Sequence, residues 1–278
     1  SHSFFLRNPL YHTSVLVAEE MVRYSVYMKA IGIIGGVGPM AGADAAQKIF
    51  ENTNAATDQE HIDLYLTSTP RSIGDRTKFL LEGGSNPAEG LYKNALQLIS
   101  LGASTLIVPC NTAHAPPIFD VLRKKLHDSH PEITLLHMIE ETAKHIGERF
   151  PEPTTIGLLA TKGTHALKTY PNALLAYPHI TLIEPSKESQ ERVHDAIYNQ
   201  RYGIKAQAPV SKEALAILLE EAHTLYDRGA KALILGCTEL PLALTKETIS
   251  LPLIDPTVVL TRSAIKHTEP AKLKDETA

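Results

Sequence analysis

From residue 30 onward, short apolar runs alternate with longer stretches in which apolar residues recur at helical spacing. The runs at 30–34, 63–67, 105–109, 133–137, 155–160, 179–183, 231–235 and 251–254 read as buried strands. The stretches at 40–55, 87–101, 115–127, 140–150, 186–200, 211–228 and 257–267 carry strong helix formers and read as helices. Regular β-α-β order predicts parallel sheets with helices on both faces. Pro151 and Pro153 break the chain between one helix and the next strand. The expected fold is α/β, with two similar doubly wound parallel-sheet domains and the active site in the cleft between them. The first is expected to span 28–129 plus 253–278, its last helix returning to pack on it, and the second 130–252. Residues 1–27 lack a positive segment followed by a clean apolar core, so they do not read as a signal peptide. They read as a leader or extension, with the domain starting at Met28 and a short helix around Val15 to Val26.

An internal repeat supports two domains. Gly102 to Cys110 (GASTLIVPC) aligns with Gly229 to Cys237 (GAKALILGC), five of nine positions being identical at an offset of 127. Ile31 to Gly35 (IGIIG) aligns with Ile156 to Ala160 (IGLLA) at an offset of 125. So long a period excludes a solenoid. Each cysteine then ends a strand, and ligands of open parallel sheets bind beyond such carboxyl ends. Two domains facing each other would bring Cys110 and Cys237 to opposite sides of one cleft. A racemisation needs that arrangement, with one base removing a proton and a conjugate acid returning one to the other face.

Composition narrows the classes. Hydrophobic residues make up 43% and charged residues 21%, a globular balance. The net charge is -4 with no long basic run, which argues against nucleic acid as a partner. No apolar stretch approaches the ~18 residues of a membrane helix. Two cysteines make no disulfide scaffold, so a reducing cytoplasm is expected. Both thiols lead into a turn and an expected helix start, and helix N-termini lower thiol pKa from ~8.5 towards neutrality. Asn111, Thr112 and Thr238 offer donors to a carboxylate at the same edge. Glu239 either orients the second motif or simply favours a helix N-terminus. His114 is either a packing residue or a proton relay. Cys110 and His114 are spaced for a metal, but too few soft ligands accompany them, and none is expected.

The motifs PCNTAH (109–114) and GCTE (236–239) resemble those of the aspartate/glutamate racemase superfamily. The proline before the first cysteine and the histidine four positions after it are closer to its aspartate racemase branch. Gly35-Gly36-Val37-Gly38-Pro39, the segment Ile73 to Thr77, the segment Gly157 to Thr164, and Ile197-Tyr198-Asn199 ahead of Lys205 are similar as well. The resemblance covers about residues 28–268 and departs at Gly74, where many relatives carry proline. It implies proton transfer at the α-carbon of aspartate or glutamate without pyridoxal phosphate, metal or nicotinamide. The sequence does not encode the oligomeric state, and a homodimer is the default expectation. The resemblance implies that Asn111, Thr112, Thr161, Thr164 and Thr238 hold the α-carboxylate. Arg76 and Lys205 would supply cations for the second carboxylate. It further implies that Cys237 takes the proton from the L-form and Cys110 from the D-form.

Other readings exist. Gly36-Val37-Gly38-Pro39-Met40-Ala41 fits the dinucleotide fingerprint G-x-G-x-x-A. The acidic residue expected about 20 positions on is missing at Thr67-Ser68-Thr69, and Pro39 removes a loop amide. A loop lining a substrate cleft is preferred to an NAD-binding site. An isomerase or decarboxylase of the same fold, acting on maleate, hydantoin or malonate-type acids, would need one functional cysteine or a substrate without an amino group. A non-catalytic binding protein would not need both cysteines in this context.

Overall fold

The computed structural model describes residues 29–275. The leader at 1–27 and the start at Met28 lie outside the described residues. The first sheet contains β1 (Ala30–Ile34), β2 (Leu64–Thr67), β3 (Ala103–Ile107) and β4 (Thr134–Leu135), in the order β2-β1-β3-β4. The second contains β5 (Thr154–Ala160), β6 (Ile180–Ile183), β7 (Ala232–Gly236) and β8 (Leu253–Ile254), in the order β6-β5-β7-β8. All strand pairs are parallel. The same order occurs twice, so the sequence repeat is a structural one, and β3 and β7 occupy equivalent places.

The helices are α1 (Pro39–Glu51), α2 (Arg76–Glu82), α3 (Ala88–Ser100), α4 (Pro116–Ser129), α5 (Met138–Arg149), α6 (Lys162–Ala166), α7 (Thr169–Leu174), α8 (Lys187–Tyr198), α9 (Lys212–Asp227) and α10 (Pro256–Thr268). The seven longer ones match the expected stretches. The three short ones, α2, α6 and α7, are too short to show a helical period. Side-chain caps define two of them. Asp75 accepts from the Lys78 N–H at 2.8 Å, and Thr161 accepts from the Thr164 N–H at 3.4 Å. The first helix stops at Glu51, short of the expected 55. Asn52 and Thr53 side chains bond back to the Lys48 and Ile49 carbonyls, and Thr53 pairs with Leu273 near the end of the chain. Among the described residues no helix is long and apolar enough to cross a membrane.

Burial explains how the halves hold together. Ile31, Ile33, Ala45, Ile49 and Ile107 pack with Leu260, Ala264 and Ile265, which seats α10 on the first sheet. Thr268 of that helix donates to Thr105 of β3 at 2.9 Å. Helix α5 is shared: Met138 joins this core, while Ile139, Ala143 and Ile146 join a core of the second sheet with Tyr170. Each buried aliphatic side chain contributes roughly 1.5–3 kcal/mol.

Gly32 in β1 and Gly157 in β5 are equivalent, and each faces a leucine of the neighbouring strand. A Cβ on Gly32 would lie 2.6 Å from Leu106 Cδ2 and 2.9 Å from Ala103 Cβ. The Ala103 methyl is fixed to a strand and cannot rotate away. Gly32→Ala is therefore expected to destabilise the fold by roughly 1–3 kcal/mol through overpacking. Urea unfolding of the two proteins measures this, and an unchanged midpoint would mean that the strands do not approach so closely.

Candidate active site

The cleft lies where the carboxyl ends of the two sheets meet. In a sheet of order β2-β1-β3-β4 the chain reverses between β1 and β3, and the loops after those strands splay apart to leave a crevice. The loop 35–38 after β1 and the loop after β3 line that crevice, and the loop after β7 lines it from the other side. Val37, Arg76, Cys110, Asn111, Thr112 and Thr161 surround a narrow cavity together with Tyr198, Lys205, Cys237, Thr238 and Glu239.

Strand β3 ends at Ile107, before the expected 109, because the chain turns there and the Cys110 N–H bonds to the Val108 carbonyl at 2.8 Å. Both thiols are buried, each residue 6% exposed, and neither forms a disulfide. The expected helix starts are absent at both. A 3-10 turn, Asn111–His114, follows Cys110, and another, Leu240–Leu242, begins three residues after Cys237. An α-helix dipole is therefore missing at each thiol. Burial pushes the Cys237 thiol well above its ordinary pKa, and the nearby Glu239 pushes it further. This corrects the expectation of a thiol lowered towards neutrality, because desolvation and a neighbouring carboxylate disfavour the thiolate. The Cys237 Sγ–H donates to Glu239 Oε2 at 3.1 Å.

The other oxygen of Glu239 pairs with Lys205 Nζ. Burial works against the Lys205 charge, but Glu239, Cys237 and Tyr198 hold its pKa above the usual lysine value. Local folding places it. Helix α8 ends at Tyr198, and the chain doubles back so that the Ile204 and Lys205 N–H groups bond to the Ala196 and Ile197 carbonyls at 3.0 and 3.1 Å. Lys205 Nζ then stands 5.4 Å from the Tyr198 ring centre. Tyr198, stacked on His194, has a pKa pushed up to about 12, first by burial and then by the two cysteines.

Arg76 lies across the cleft, at the start of α2. Its Nη1 and Nη2 donate to the Gly74 and Val37 carbonyls at 3.3 and 3.2 Å, and its buried Nε has no protein partner. Burial opposes its charge, but Cys110, Tyr198 and Asp75 more than compensate and raise its pKa. The departure at Gly74 leaves Arg76 anchored, since the contact uses a backbone carbonyl. Gly38, at φ 122°, lets the β1 loop lie against Glu239: a Cβ there would be 2.4 Å from Oε1. A carboxylate thus faces the glycine loop, which is unsuited to holding a pyrophosphate.

Hydroxyls join the two halves. Thr112 Oγ1 lies 3.4 Å from Thr161 Oγ1 and 3.5 Å from Thr164 Oγ1. Thr164 stands behind this pair and is the one expected site residue that does not line the cavity. Asn111 directs Oδ1 to the Tyr170 hydroxyl at 2.5 Å and leaves Nδ2 buried without a partner. Sequence reasoning did not single out Val37, Tyr198 or Tyr170. Tyr198 stood in a noted run, but nothing in that run marked its ring as a cleft wall. His114 turns away from the cleft. Its Nδ1 lies 2.9 Å from the Cys110 carbonyl, and its ring stacks on Phe119 and meets His137 edge-on. Among the described residues no three of His, Cys, Asp or Glu cluster as metal ligands.

Comparison with known proteins follows the same lines. The model of the family described as Asp/Glu/Hydantoin racemase matches residues 34–264. The chain is similar to Picrophilus torridus aspartate racemase, with 28% identity, 89% of this chain and 97% of that one covered, and a TM-score of 0.73. It is 25% identical to the broad specificity amino-acid racemase RacX of Bacillus subtilis (strain 168), over 84% of this chain and 96% of that one. A glutamate racemase from Francisella tularensis subsp. tularensis SCHU S4, in complex with D-glutamate, shares the fold. Its identity is 18%, its TM-score 0.56, and the match covers 90% of this chain and 84% of that one.

The His114 environment generates a pH prediction. Burial, followed by the neighbouring His137, holds His114 well below the ordinary histidine pKa, and burial lowers His137 too. Their folded pKa values lie below the unfolded value of about 6.5, so below that pH the unfolded chain binds more protons. Stability should fall as pH drops from about 6.5, with His114 contributing to the loss. Urea unfolding at about pH 7.5 and about pH 5.5 should show a smaller loss for His114→Gln than for the wild type. Equal losses would mean that His114 titrates as in the unfolded chain.

Proposed function

The chain belongs to the Asp/Glu/hydantoin racemase family, and from that premise we propose that it racemises an acidic amino acid, aspartate or glutamate, by two-base proton transfer between Cys110 and Cys237. The observation that carries this reading is the placement of both buried thiols in one cavity, each following the equivalent strand of its sheet. One thiolate removes the α-proton and becomes a thiol. The opposing thiol gives its proton to the other face of the carbanion and becomes a thiolate. The electron pair left on carbon delocalises into the α-carboxylate, so donors at that group lower the barrier. Asn111 Nδ2 and the Thr112, Thr161 and Thr238 hydroxyls are the groups available for it, with Thr164 supporting Thr112 and Thr161 from behind. In a closed, water-poor cleft these donors need no reorganisation.

The two cations account for the acidic substrate. The Arg76 Nε–H has no protein partner and is free to donate to a side-chain carboxylate. Lys205 is committed in part to Glu239 and contributes a second positive charge. Glu239 accepts a hydrogen bond from the Cys237 thiol and so orients that thiol in the cleft. Under this scheme Cys237 acts on the L-form and Cys110 on the D-form. No pyridoxal phosphate, metal or nicotinamide has a step in it. A reducing cytoplasm suits two free thiols, and a homodimer is the assembly we assign on the prevalence of twofold oligomers.

Serine is a far weaker base than cysteine, so Cys110→Ser and Cys237→Ser should each abolish net racemisation. The remaining thiol still exchanges the proton of its own enantiomer. In D₂O, Cys110→Ser should wash deuterium slowly into the L-substrate alone, and Cys237→Ser into the D-substrate alone, as scored by proton NMR and chiral chromatography. The reverse pattern would exchange the two roles. Racemisation at the wild-type rate in either variant would remove that cysteine from the mechanism.

A further inference from the structure

The Asn111 carboxamide has two ends of opposite character, and the end facing the cleft decides whether it attracts or repels a carboxylate. Its Oδ1 is engaged by the Tyr170 hydroxyl at 2.5 Å, while its Nδ2 is buried with no protein partner. Asn111 itself is 3% exposed and lines the cavity. An unpaired buried N–H group is costly unless a ligand meets it. Tyr170 is fully buried on α7, packed with Ile139, Ala143 and Leu174, so its ring cannot turn aside. Burial also raises the phenol far above its ordinary pKa, so the hydroxyl keeps the proton that it donates to Oδ1. Flipping the amide would turn Oδ1 towards the cleft and would require the hydroxyl to withdraw its proton from Asn111 and turn it to Thr142.

We infer that Tyr170 is a positioning residue, which fixes the Asn111 carboxamide with its N–H groups aimed at the α-carboxylate of the bound amino acid. The claim rests on the proposed racemase reading. It adds a link between the halves, because Tyr170 belongs to the second and Asn111 to the first. The donor is aimed only when the two are together. Since every amino acid has an α-carboxylate, the loss on removing the hydroxyl should not depend on the side chain. Loss of Arg76 should, by contrast, fall mainly on acidic substrates.

The test is a double-mutant cycle of Tyr170→Phe and Asn111→Ala, read as kcat/KM for aspartate, glutamate and alanine and as the Kd of 2-methylaspartate, which has no α-proton. Tyr170→Phe keeps the buried ring and should lower kcat/KM about 10-fold for each substrate turned over, about 1.4 kcal/mol. It should weaken 2-methylaspartate binding by a similar factor, and add nothing further in the Asn111→Ala background. Wild-type kcat/KM and Kd in Tyr170→Phe, or the same loss with and without Asn111, would overturn the positioning role. Full activity in Asn111→Ala would instead sink the carboxylate role given to Asn111 in the proposed function. A thermal midpoint for each variant separates unfolding from misalignment, because misalignment leaves the midpoint near the wild-type value while kcat/KM drops.

Discussion

Two thiols can act on the two faces of one carbon only if the strands that carry them end at the same cleft. The fold meets this constraint by using one strand order twice. β3 and β7 are interior strands at equivalent places in their sheets, and the chain reaches a cysteine three residues after β3 and immediately after β7. The remaining structure bears on holding those two ends together. Helix α10 returns to the first sheet, α5 shares its apolar face between two cores, and α6 packs on α2 and on the turn after Cys110. The hydroxyls of Thr112, Thr161 and Thr164 close the seam with polar contacts.

The cleft is symmetric in its strands but not in its charges. The Arg76 guanidinium stands beside Cys110, and Cys237 donates to a carboxylate that is paired with Lys205. A buried thiol beside a carboxylate is held in its protonated form. Under the proposed mechanism, substrate binding has to relieve that hold before Cys237 can act as a base.

Much of the architecture was legible because buried parallel strands are continuous apolar runs, and eight of these correspond to the eight strands described. The repeat around Cys110 and Cys237 was legible for the same reason, since a strand ending in a cysteine is a short, contiguous pattern. The short helices were not, because five to seven residues cannot display a 3.6-residue period. The helix starts expected at the thiols failed because turn residues announce a bend without stating whether an α-helix follows. Tyr170 escaped notice, and Tyr198 was noticed only as part of a similar run, for another reason. Their roles depend on which residues of the other half stand opposite, and no local pattern encodes that. Glu239 was noticed beside Cys237, but only the fold shows its two oxygens divided between the thiol and Lys205.

The central claim is that one carbon is served by two bases on opposite faces, and the wild-type enzyme in D₂O tests it most directly. L-aspartate should be converted for a small fraction of its approach to equilibrium, with deuterium then measured at the α-carbon of each separated enantiomer. Two opposed thiols predict that the newly formed D-aspartate carries deuterium from the solvent-exchanged acceptor side while the remaining L-aspartate keeps its protium. D-aspartate that retains the original protium, or equal deuterium in both enantiomers from the outset, would point to a single base and contradict the account.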